Sequence, residues 1–261
     1  MSDTLKNVCC DIFLSYNLVH FARLARCSNE SSLTSHICPL QQILVIGDSV
    51  SLGYTPAVAT LLADVALVQH APWGGDGGAE ETAYGIQCLD YWLRGPAGDK
   101  IYPDLVYFNF GLHDGPQLFK YPPANVTIPG QEGNMTVYPE QIAQIANSLK
   151  AWAAESHSKL MFGITSPMLA DARADRDVRS LNQAAAEVMT TRNISTIDLH
   201  AAIVSRCGPV PQSECFGIKN CFSPHCGGTA THIPGQPTKG YYWLANSVCE
   251  FTSWPHLILR Q

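Results

Sequence analysis

Ser49 is the residue with the most direct claim to chemistry. It closes a short apolar run in ILVIGDSVSLGYTP, where a strand would turn into a helix. A serine placed at such a turn presents its hydroxyl outward and turns its own N–H toward the same space, which suits nucleophilic attack on a carbonyl carbon. The same Asp48-Ser49 pair is also a common way to begin a helix, so at this point it reads equally as a cap. A serine hydroxyl needs a base. Two histidines late in the chain are candidates, His225 in CFSPHC and His232 in ATHIPG, and a third, His113, follows an apolar run in NFGLHDG. His113 can act as a hydrogen-bond donor, as a base, or as a structural residue at a strand end. A glycine-rich stretch, WGGDGGAEETAYG, could bring backbone N–H groups close to a ligand.

The elements that must position these residues can be read from periodicity. Buried parallel strands are expected at Gln42 to Ile46, Val65 to Gln69, Asp104 to Phe110, Lys159 to Thr165 and Ser195 to Leu199. Helices are expected at Pro56 to Asp64, with Thr55-Pro56 as cap and first turn, and at Gly85 to Leu93. Further helices are expected at Pro139 to Ser156, Val178 to Thr191 and Tyr241 to Val248. In the first of these, Ile142, Ile145, Leu149 and Trp152 form one stripe. Five strands alternating with helices imply an α/β protein with a parallel sheet covered on both faces. Ligands in such sheets lie beyond the carboxyl ends of the strands, where Ser49, Gly75–Gly78 and His113 all fall. Residues 1–39 show no clear periodicity and read as an N-terminal extension to a domain spanning 40–255.

These blocks, in this order, resemble the SGNH (GDSL-type) hydrolase superfamily over roughly residues 40–250. Gly47-Asp48-Ser49 is similar to its first block, the glycine-rich stretch to its second, NFGLHDG to its third, and a late histidine followed by GYYWLA to its fifth. The form G-L-H-D resembles one branch of such esterases. The resemblance implies a flavodoxin-like three-layer sandwich and acyl transfer through Ser49. It also implies an oxyanion hole from the Ser49 and Gly78 N–H groups and the His113 side chain. Gly78 is preferred to Gly75 on its distance from Gly85.

Two departures stand out. His113 occupies the place where the family carries asparagine, and its donor capacity depends on tautomer and pH. The family's D-x-x-H is also incomplete: Phe222 lies three residues before His225 and Thr229 three before His232, and neither is an acid. The resemblance implies His225 as the base, because it ends the cysteine-bearing loop after the Asp198–Cys207 segment, where the family's histidine falls; Cys226 to Thr238 is then an insertion. His232 is the alternative. Asp48 and Asp114 are expected to order backbone rather than act as the triad acid, and Asn182 to start or face a helix. Three functions stay open: an ester hydrolase acting on small, glycan or lipid esters, an acyltransferase on the same residues, and a binding protein that kept the fold.

The chain of 261 residues is long enough for one domain with a sizeable core. With 46% hydrophobic residues, a net charge of -6 and no Lys/Arg run, it is globular in type and nucleic acid is not expected as a partner. No apolar run reaches the ~18–20 residues of a membrane span. Ten cysteines, four of them between Cys207 and Cys226, suggest disulfides stapling an irregular loop. Without a C-x-x-C pair, a metal site is not expected, nor is any organic cofactor. N-x-[ST] sequons at Asn29, Asn125, Asn134 and Asn193 join the cysteines in pointing to a secreted protein or one in the secretory lumen. Asp11 and His20 interrupt the apolar stretch that a signal peptide would need.

Overall fold

A computed structural model describes residues 24–26, 37–73, 78–95, 98–115, 134–169, 171–216 and 239–251. A short antiparallel pair, β1 (Leu24–Arg26) and β2 (Ile37–Pro39), forms a separate two-stranded sheet. The main sheet contains β3 (Gln41–Ile46), β4 (Ala66–Ala71), β5 (Leu105–Phe108), β6 (Lys159–Ile164) and β7 (Ser195–Asp198). Their order is β4-β3-β5-β6-β7, with every neighbouring pair parallel. Parallel strands need crossovers, and here these are helical. They are α1 (Ser49–Leu61), α2 (Thr82–Trp92), α3 (Tyr138–Ser156) and α4 (Ala172–Thr191), followed after β7 by α5 (Leu199–Cys207), α6 (Ser213–Phe216) and α7 (Lys239–Phe251).

Side chains alternate across a strand, so each strand feeds two cores. Ile43, Val45, Leu105 and Tyr107 point to one face, where they meet α1, α5 and α7. Leu44, Ile46, Val106 and Phe108 point to the other, where they meet α2, α3 and much of α4. This is the three-layer α/β sandwich the strand pattern implies. On α3, Ile142, Ile145 and Leu149 are buried as expected, and Trp152 packs partly buried at the edge.

The two helices nearest the chemistry are fitted tightly. At Gly53 of α1, a Cβ would overlap the ring of Tyr241, the buried residue by which α7 docks onto α1. Tyr107 likewise reaches across to Gly163 on β6, where its hydroxyl fills the space a side chain would take, and it accepts a 3.2 Å hydrogen bond from Tyr54.

Several boundaries differ from the sequence reading. The first helix does not start at Pro56. It starts at Ser49, with Asp48 as N-cap and Pro56 inside. Proline has no N–H for the Leu52 carbonyl, which ordinarily ends a helix, yet burial of Tyr54, Ala57 and Val58 holds the turns together. The helix expected from Val178 begins six residues earlier, because the Asp171 side chain accepts from Arg173 and Ala174 N–H groups. The last strand stops at Asp198, whose carboxylate caps α5 through the Ala201 N–H at 2.7 Å. Asn182 does not start a helix but lies within α4. It is buried on α4, where it accepts from the Thr165 N–H and donates to the Thr165 carbonyl just beyond β6.

Cys207 and Cys215 form a disulfide that ties the end of α5 to α6, and Cys88 on α2 is also disulfide-bonded. Among the described residues no helix is long and apolar enough to cross a membrane.

Candidate active site

The turn between β3 and α1 is a hub of backbone contacts. Asp48 is 1% exposed, and its Oδ1 accepts from the Val50 N–H at 2.9 Å and the Ser51 N–H at 3.3 Å. Two otherwise unpaired first-turn donors are thereby satisfied. The helix therefore begins on the residue after the cap, and that residue is Ser49, which is half-buried. Ser49 thus sits at the positive end of the α1 macrodipole, a position that favours negative charge nearby. The cap reading and the nucleophile reading of Asp48-Ser49 are compatible: one residue caps, and the next opens the helix half-buried.

A second anchor lies two residues on. The Ser51 hydroxyl donates to the Asp48 carbonyl at 2.6 Å and lies 2.7 Å from Nε2 of His70 on β4. A hydroxyl has one proton, so His70 carries its own on Nε2 and donates it to Ser51. Burial pushes the His70 imidazole down to about 3, which keeps it neutral and holds this tautomer. Sequence reading passed over His70. Its only local signal is a polar residue in an otherwise half-buried edge strand.

Gly78 is brought directly against this turn. It forms an isolated antiparallel bridge with Asp48, and the Ala79 N–H donates to the Gly47 carbonyl at 2.7 Å. Gly78 has φ +77, and a Cβ there would sit 2.5 Å from the Gly47 carbonyl oxygen and 2.6 Å from Asp48 Cα. No residue but glycine fits. Gly75, the other candidate in that stretch, lies outside the described residues.

His113 arrives from the loop after β5. Its Nε2 lies 4.0 Å from Asp48 Oδ2, at ion-pair distance, with 18% of its side chain exposed. Asn109, four residues earlier in the same block, does not point to the turn; it donates to the Gly163 carbonyl at 2.6 Å and to Thr165 Oγ1 at 3.2 Å. Asp114 was expected to order its own loop. It instead reaches to the start of α2, where its Oδ1 accepts from the N–H and hydroxyl of Thr82. Its Oδ2 is buried with no hydrogen-bond partner among the described residues.

Burial raises the Asp114 carboxyl to about 6, against the lowering effect of the Thr82 hydrogen bonds. A raised carboxyl binds its proton more tightly folded than unfolded. Its contribution is complete below pH 3.8 and is lost as pH rises through 6. An Asp114→Asn variant removes that loss. Its stability relative to wild type should therefore rise by about 3 kcal/mol from below pH 4 to above pH 6. Urea denaturation of both proteins across that range measures it; parallel pH curves would show that folding leaves the Asp114 carboxyl unshifted.

His225 and His232 lie outside the described residues. The segment that carries them ends at α7, which packs against α1. Among the described residues one further carboxylate–imidazole pair occurs, between Asp175 and His200, at 3.0 Å. Asp175 is fully buried and also binds the Met168 N–H and Arg179, so it pins the loop after β6 to α4 and α5. Among the described residues no group of three or more His, Cys, Asp or Glu is placed to hold a metal ion.

The sheet order and the placement of helices define a flavodoxin-like three-layer α/β fold. The chain is similar to a lipase/acylhydrolase from Enterococcus faecalis, at 18% identity and TM-score 0.52, covering 82% of this chain and 95% of that one. It is similar to an acetylxylan esterase from Geobacillus stearothermophilus, at 12% identity and TM-score 0.55, covering 82% and 94%. A G-D-S-L family protein from Desulfitobacterium hafniense aligns at 12% identity and TM-score 0.50, covering 80% and 98%. No family model matches the sequence, and no curated protein matches it.

Proposed function

We propose that the protein is a serine ester hydrolase that works through an acyl-enzyme on Ser49. The observation that carries this reading is the meeting of three segments at one turn: Ser49 opens α1, Gly78 packs on Gly47-Asp48, and His113 faces Asp48. That is the set of groups acyl transfer requires on the oxyanion side. In this reading the Ser49 and Gly78 N–H groups and the His113 side chain hold the developing oxyanion. His225 takes the Ser49 proton as the acyl-enzyme forms and activates water for its breakdown, with His232 as the alternative base. Atoms balance over the cycle, because the leaving alcohol takes the proton first delivered to the histidine and water restores it.

The substrate class proposed is a small O-acyl ester, such as an acetylated glycan; the acetylxylan esterase among the similar structures supports that direction. The cysteine usage and the exposed sequon residues Asn134 and Asn193 support a secretory location. The incomplete D-x-x-H is the observation that favours a second reading, a non-catalytic binding protein. Hydrolysis of p-nitrophenyl acetate by His225→Ala and His232→Ala separates the possibilities. His225→Ala should lose about 10³-fold or more while His232→Ala stays near wild type. The reverse would make His232 the base, and full activity in both would remove both late histidines from that role.

A further inference from the structure

The two oxygens of Asp48 face different tasks. Oδ1 is committed to the Val50 and Ser51 N–H groups, as a helix cap. Oδ2 is left facing the His113 imidazole at 4.0 Å, with only 2% of the Asp48 side chain exposed. A cap alone needs one acceptor oxygen, which serine, threonine or asparagine also supplies. The second buried oxygen goes beyond what the cap on Val50 and Ser51 needs, and it lies toward His113.

We infer that Asp48 is a positioning residue for His113: its second carboxylate oxygen orients the imidazole and favours the form that carries a proton on both ring nitrogens. The chemistry explains why histidine at this place needs such a partner. An asparagine amide donates at any pH. A neutral imidazole has one N–H, and a carboxylate on its Nε2 side favours the tautomer that carries the proton there. Only the cation keeps a second N–H for a substrate oxygen. A carboxylate at this distance in a buried setting stabilises that cation.

Among the described residues, Tyr54, Tyr107 and Asp114 bear on Asp48 besides His113. Tyr54 from α1 and Tyr107 from β5 face it, and burial raises both phenols, so they stay neutral. Asp114, next to His113 in the chain, is electrostatically coupled to Asp48. Burial raises the Asp48 carboxyl, and the facing His113 lowers it. Charge on one partner therefore supports charge on the other.

This inference rests on the esterase reading for its kinetic consequence but not for its geometry, and the test separates the two. The His113 imidazole is followed by NMR across pH, its signal assigned by its disappearance in His113→Asn. Asp48→Asn keeps an acceptor for the cap and removes the charge, so the His113 midpoint should fall by about 1–3 units. Asp48→Ser, which also caps well, should give a shift of the same sign and guards against misfolding of the first variant. An unchanged midpoint in either folded variant overturns the inference. In kinetics, the loss caused by Asp48→Asn should shrink at least tenfold in a His113→Asn background; equal losses in both backgrounds also overturn it. A wild type with no esterase activity would sink the proposed function instead, while the titration would still decide the role of Asp48.

Discussion

Ser49→Ala lowers kcat for p-nitrophenyl acetate by roughly 10⁶-fold, if the proposed acyl-enzyme is the route of hydrolysis. The size follows from the chemistry. Without the hydroxyl no covalent intermediate forms, and what remains is stabilisation of the oxyanion for direct attack by water. The substitution should leave stability almost untouched. The cap on α1 is made by Asp48, not Ser49, and alanine is a better helix former than serine. A fall in activity with an unchanged denaturation midpoint is therefore the expected pair of results, read from initial rates and urea melts on one preparation. Equal rates for the two proteins would leave the Ser49 hydroxyl without a chemical role.

Gly78→Ala is expected to harm both stability and activity. At φ +77 an alanine carries backbone strain, and its Cβ would meet the Gly47 carbonyl oxygen at 2.5 Å and the Asp48 backbone at 2.6 Å. These are main-chain atoms of the turn before Ser49, and they have no rotamer in which to retreat. Strain and overpacking together cost about 2–6 kcal/mol. The turn must also shift to admit the methyl group, and Gly78 in the proposed hole is one of the donors. Loss of one such donor lowers kcat by about 10²–10³. Urea denaturation and kcat for Gly78→Ala beside wild type measure the two effects. A variant as stable as wild type would contradict the close packing. A stable fold with unaltered kcat would remove Gly78 from the chemistry.

The sheet was the most legible part of the sequence. Strands buried on both faces read as unbroken apolar runs, such as QILVI and LVYF, and their alternation with helices leaves few topologies. Ser49, Gly78 and His113 were legible for a related reason, since each lies just past a strand's carboxyl end, where a parallel sheet gathers its loops. Element starts were not legible where tertiary packing overrides local signals. Pro56 argues for a helix end, yet the buried Tyr54 and Val58 keep α1 continuous past it. The first turns of α4, ARADRD, carry no apolar stripe, and they are set instead by the Asp171 cap and by buried Asp175.

The pairs that shape the site had no signature at all. Ser51 with His70, and Asp48 with His113, join residues from different elements. Periodicity sees only one element at a time, so neither pair shows in it. Asp114 with Thr82 is a third such case, 32 residues apart in the chain. The proposed base rests only on order along the chain, where His225 and His232 compete, and both lie outside the described residues.

The central claim is that the Ser49 hydroxyl is presented and activated for covalent chemistry. Its most direct test is to treat the protein with a fluorophosphonate, which transfers its phosphorus to an activated serine oxygen with loss of fluoride, and to map the adduct by peptide mass spectrometry. The account predicts one adduct, on the peptide containing Ser49, and none in Ser49→Ala. An adduct on another serine, or an unmodified Ser49 in protein that hydrolyses p-nitrophenyl acetate, would contradict it.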